Sequence, residues 1–71
     1  MYAVRIMERE RRARGWSQSE LARRAHMNGG TVNQIESGYI GQPYASQLHK
    51  LAAALGWTEN PADLLRESGA E

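Results

Sequence analysis

The chain has 71 residues, enough for one domain around one modest core, near the lower size at which a protein folds without a disulfide, metal or partner. It has no cysteine, which excludes disulfides and thiolate metal sites, and His26 and His49 are too few and too far apart to hold a metal; no cofactor is expected. The net charge of +1 conceals a split: Met1 to Ile35 carries seven Arg against three Glu, and Glu36 to Glu71 carries one Lys and one Arg against five acids.

Helical punctuation recurs along the chain and alternating β-branched runs are missing, so the expected class is all-α with five helices. Domain organisation is expected to be one unit over residues 1–67 with a frayed tail at 68–71. No apolar run approaches the roughly 20 residues that span a bilayer, and the N-terminus lacks a signal-peptide stretch, so a cytoplasmic protein without membrane contact is expected.

The first helix is predicted over Ala3 to Arg14, with Ile6, Met7 and Ala13 among its inward positions, Gly15 as a left-handed terminator and Trp16 folding back. Ser17-Gln18-Ser19-Glu20 reads as a capping box in which the Ser17 hydroxyl accepts from the Glu20 amide and the Glu20 carboxylate returns to Ser17. The second helix starts there, with Leu21, Ala22 and Ala25 inward and Arg23 and Arg24 outward. It stops near His26, because Asn28 is a strong N-cap and Val32 and Ile35 begin a new register. The third helix covers Gly29 to Ser37, ended by Gly38.

After the loop Tyr39 to Pro43, a fourth helix is predicted from Tyr44 to Leu55, with Leu48, Leu51, Ala52 and Leu55 buried and His49 outside. Asn60-Pro61 supplies a cap and a first-turn proline for a fifth helix over Ala62 to Glu67, anchored by Leu64 and Leu65. Trp16 and Trp57 are assigned to the core. The aromatic loop of Tyr39, Ile40 and Tyr44 can pack on the core, touch a nucleic-acid backbone or meet a partner chain.

Helices two and three with their tight turn form a helix-turn-helix, the motif that lays its second helix in the DNA major groove. Its crossing needs a small residue at Ala22 and apolar ones at Leu21, Ala25, Met27, Val32 and Ile35, and all six positions comply. Ser17-Gln18, "ELA" at Glu20 to Ala22, "IESG" at Ile35 to Gly38, Pro43 and "KLAAALGW" at Lys50 to Trp57 resemble the lambda repressor/Cro-like domain, the XRE family. The resemblance spans about Ile6 to Leu65.

This resemblance implies a five-helix DNA-binding domain and assigns roles by position. Asn28, Gly29, Gly30, Thr31, Asn33 and Gln34 fall on the recognition helix. Gln18 would bond a phosphate and brace that helix, Ser17 would add a second backbone contact, and Ser37, Gln42 and Tyr44 would touch the backbone on the far side. Arg11 and Glu36 would pair across helices one and three, with Arg11 also a backbone contact. A homodimer on a pseudo-palindromic site is implied, joined through the fifth helix and the "GWTENP" loop before it, with affinity steeply dependent on salt.

Two positions depart from the family pattern. His26 stands where a left-handed glycine is usual, at a cost of roughly 1 kcal/mol, and Gly29-Gly30 stand where relatives carry long base-reading side chains. Readout then moves to Thr31, Asn33 and Gln34, since Asn and Gln pair bidentately with adenine and a threonine methyl meets thymine. Glycines let the backbone approach DNA and offer free N–H groups; the alternative is a flexible turn that only shortens the helix. The function expected is a sequence-specific DNA-binding regulator, a repressor without catalytic activity. The alternative is an antitoxin-type adaptor that grips a protein partner through its acidic half.

Overall fold

A computed structural model describes residues 4–68 of the chain. In order they form α1 (Ile6–Ala13), α2 (Gln18–Arg24), α3 (Gly29–Ser37), α4 (Ala45–Leu55) and a 3-10 helix (Pro61–Leu65). The class is all-helical as expected, with four α-helices and, among the described residues, no strand beyond an isolated bridge between Arg5 and Glu67.

The helix starts follow side-chain chemistry. Ser17 Oγ accepts the Glu20 N–H at 3.0 Å, Asn28 Oδ1 accepts the Gly30 N–H at 2.8 Å, and Asn60 Oδ1 accepts the Ala62 N–H at 3.0 Å. Each satisfies an amide that an isolated helix end leaves orphaned. The chain leaves α1, α3 and α4 through Gly15, Gly38 and Gly56, all at positive φ. His26, between α2 and α3, holds φ at +56° without being a glycine.

Four expectations are corrected. Val4 and Arg5 are extended rather than helical: the Ile6 N–H donates to the Arg66 carbonyl and the Ser68 N–H to the Val4 carbonyl, each at 2.8 Å, so both ends of the fold are tied together. That pairing also ends the last helix early, and the five residues from Pro61 to Leu65, capped by Asn60, close as a 3-10 turn instead of an α-helix to Glu67. Half of the Ser17–Glu20 box is missing, because Glu20 turns its carboxylate to Arg23 and Arg24. Ala13 is exposed and Leu48 only half-buried. Ala3 and residues 69–71 lie outside the described residues.

The core comprises Met7 from α1, Leu21 and Ala22 from α2 with Ala25 just after it, Val32 and Ile35 from α3, Leu51, Ala52 and Leu55 from α4, and Leu64. Burying one leucine or isoleucine of this set contributes about 1.5–3 kcal/mol. Ala22 is 2% exposed, and its small side chain is what permits α3 to cross close to α2. Trp16, Met27 and Trp57 pack on this core while remaining partly exposed.

Candidate nucleic-acid interface

The two-sided character of α3 sets up the site. Val32 and Ile35 face the core, and Asn28, Gly30, Asn33, Gln34 and Ser37 are exposed; Thr31 is half-buried, as is Gly29, which lies beside Ser19 of α2. The exposed face is polar and uncharged, since Glu36, the only ionisable residue between Asn28 and Gly38, turns inward and is buried.

Glu36 is held by Arg11 of α1 through two bonds, Nε to Oε2 at 2.8 Å and Nη2 to Oε1 at 3.0 Å, while Arg11 Nη1 donates to the Trp16 carbonyl at 2.8 Å. Bonding to Glu36 raises the Arg11 pKa further above its ordinary value, against the opposing effect of burial. With three nitrogens engaged and the side chain 9% exposed, Arg11 has little surface to offer a ligand. Gln18, at the start of α2, continues the network: its Nε2 donates to Glu36 Oε1 at 2.9 Å, and its Oε1 accepts from Asn33 Nδ2 at 3.1 Å. A connected path of bonds thus runs from α1, past the start of α2, to the exposed face of α3.

Gly29 and Gly30 adopt no positive φ, so backbone conformation does not demand them. A Cβ on Gly29 would sit 3.6 Å from Ser19 Oγ, an ordinary contact, and one on Gly30 would sit 3.2 Å from Asn28 Oδ1, close to the cap. The protein's own packing therefore admits a side chain at residue 29 and crowds one at residue 30.

The remaining candidates lie around this helix end. Ser17 spends its hydroxyl on the α2 cap. The Ser37 hydroxyl donates to the Gln34 carbonyl at 3.2 Å and accepts the Tyr39 N–H at 3.4 Å, stabilising the exit from α3. Gln42 is exposed, as are Tyr39 at 82% and Tyr44 at 76%, whereas Ile40 packs on the core. Tyr44 also caps α4 with its backbone N–H, which donates to Gln47 Oε1 at 2.9 Å.

The arginines are more committed than the charge count suggests. Arg5 Nη1 donates to the Ile35 carbonyl at 3.0 Å and Arg14 Nη2 to the Leu55 carbonyl at 2.6 Å, each placing a cation at the C-terminal end of another helix. Arg24 lies 4.2 Å over the Trp16 ring and pairs with Glu20. Arg9 pairs with Glu10, Arg12 with Glu8 and Arg23 with Glu20. Hydrogen bonds from Arg14 and then Arg9 hold the Glu10 carboxyl below its ordinary pKa, and those from Arg23 and Arg24 do the same for Glu20. Sequence reasoning missed the carbonyl partners of Arg5 and Arg14, which lie 30 and 41 residues away.

Among the described residues no group of three or more His, Cys, Asp or Glu could hold a metal ion, and no helix is long and apolar enough to cross a membrane. No curated protein and no solved structure matches the chain. A family model described as a helix-turn-helix domain does match, over residues 5–65, which takes in all four α-helices and the 3-10 turn. The turn between α2 and α3, the small residue at their crossing and the extent of this match agree: the chain belongs to the helix-turn-helix domain family, of the XRE/lambda repressor-like kind.

Proposed function

We propose that this protein is a sequence-specific regulator of transcription that binds double-stranded DNA by seating α3 in the major groove, acting as a repressor without catalysis. The observation that carries this reading is the division of α3. Its apolar residues are spent on the core, and its outer face presents amide and hydroxyl groups at the end of a bonded network reaching back to α1. A face of this kind suits base edges, which offer hydrogen-bond donors and acceptors rather than charge.

In this reading Asn28, Thr31, Asn33 and Gln34 face the bases, and Gly29 and Gly30 bring the backbone N–H groups of the first turn close to DNA. Ser17, Gln18, Ser37, Gln42 and Tyr44 line the phosphate backbone. Arg11 contributes through Glu36, because its guanidinium is enclosed. One such footprint is small, so the reading includes a homodimer on a pseudo-palindrome with half-sites about one helical turn apart. The internal pairing of the arginines leaves few cations to displace counterions, so the salt dependence is gentler than the arginine count alone implies.

The test is selection from a random duplex pool followed by sequencing of the bound fraction. An enriched inverted repeat is the expected result. Folded protein that enriches no sequence would contradict the reading and turn the search toward a protein partner for the acidic C-terminal half.

A further inference from the structure

The direction of each side-chain amide in the network follows from chemistry. Glu36 offers only acceptor oxygens, so Gln18 must turn its NH₂ toward Glu36 Oε1, at 2.9 Å. That leaves Gln18 Oε1 pointing at α3, where the group that meets it at 3.1 Å has to be a donor, Asn33 Nδ2. One Asn33 N–H is committed to Gln18, and its Oδ1 and second N–H remain for whatever approaches α3. A carboxylate beneath the surface therefore sets the donor and acceptor order displayed above it.

We infer that Glu36 is a specificity-positioning residue: through Gln18 it fixes the Asn33 amide in the orientation that reads adenine. The inference rests on the DNA-binding reading above and deepens it. An edge presenting one acceptor and one donor matches adenine N6 and N7, whereas an amide turned to present its NH₂ would meet the two acceptors of guanine, N7 and O6. Without the carboxylate, Gln18 is free to reverse. Its NH₂ can then donate to Asn33 Oδ1, which leaves the Asn33 NH₂ facing outward. Arg11 holds the carboxylate in place: among the described residues its guanidinium bonds Glu36 and the Trp16 carbonyl.

The experiment repeats duplex selection with the full chain, Asn33→Ala, Glu36→Gln and Gln18→Met, with circular dichroism to establish folding. Asn33→Ala identifies the base pair that Asn33 reads. Gln18→Met keeps the Arg11–Glu36 pair and removes the relay, so it remains decisive if Glu36→Gln fails to fold. The expected result is that Gln18→Met, and Glu36→Gln where folded, lower the adenine-over-guanine preference at that base pair about tenfold, leaving the other positions of the motif unchanged. A Gln18→Met protein that binds every sequence more weakly with an unaltered motif overturns the relay and leaves the DNA-binding reading intact. Wild-type protein that enriches no motif overturns both.

Discussion

Arg11 and Glu36 meet 25 residues apart in sequence, with Nε on Oε2 at 2.8 Å and Nη2 on Oε1 at 3.0 Å, and they join the first helix to the third beneath the exposed face of α3. Both side chains are almost fully enclosed. Removing either partner strands a buried charge, at a cost of about 3–5 kcal/mol, comparable to the whole stability of a domain this small. Arg11→Met and Glu36→Leu should each leave the protein largely unfolded at room temperature by urea titration. The double replacement, which strands no charge, should recover most of the loss.

His26 holds φ at +56°, where a side chain is strained and glycine is not. Its ring is exposed, so replacing it removes strain and little packing. His26→Gly should stabilise by about 0.5–1 kcal/mol, raising Tm by roughly 2–8 °C for a chain of this length. His26→Val should lower it, since β-branched residues tolerate this region least.

Gly29 separates folding from function. A Cβ there meets Ser19 at ordinary contact distance, so Gly29→Ala should hold or raise stability, by up to about 0.5 kcal/mol, through the lower backbone entropy of alanine in the unfolded chain. If this turn approaches DNA closely, the same substitution should weaken duplex binding severalfold by fluorescence anisotropy. Gly30→Ala should also cost stability, because its Cβ would press on the Asn28 cap at 3.2 Å.

Acid should destabilise the fold through its surface carboxylates. Folding lowers the Glu10 and Glu20 pKa values from the ordinary 4.5 through bonds to Arg14 and Arg9, and to Arg23 and Arg24. A depressed pKa means that the stabilisation is complete above about pH 4.5 and is lost as pH falls through the lowered folded values. The contribution of these two carboxylates to Tm should therefore be constant from pH 7 to about pH 5 and decline below pH 4.5. Glu10→Gln should cost roughly 1–4 °C near neutrality and narrow its gap from wild type on acidification.

Local chemistry was legible in the sequence; long-range partners were not. Ser17, Asn28 and Asn60 announced three helix starts, and Gly15, Gly38 and Gly56 three exits, because caps and left-handed turns depend on residues within one helical turn. The Arg11–Glu36 pair was reached through family resemblance. What escaped depended on the ends of the chain meeting: Val4 and Arg5 look helical in isolation, yet pair with the segment from Arg66 to Ser68, which also cuts the final helix to a 3-10 turn. The partners of Arg5 and Arg14, the Ile35 and Leu55 carbonyls, lie 30 and 41 residues away and meet them only in the fold. Nor could spacing disclose that Gln18 would bond Asn33, since the contact exists only once α2 and α3 cross.

The most direct measurement of the central claim is a titration of ¹⁵N-labelled protein with a duplex, followed by NMR. Seating of α3 in the groove predicts the largest shifts at the backbone amides of Gly29, Gly30 and Thr31 and at the side-chain amides of Asn33 and Gln34, with α4 and Pro61–Leu65 far less affected. Shifts centred on the acidic segment from Glu59 to Glu67, or none at saturating duplex, would contradict it.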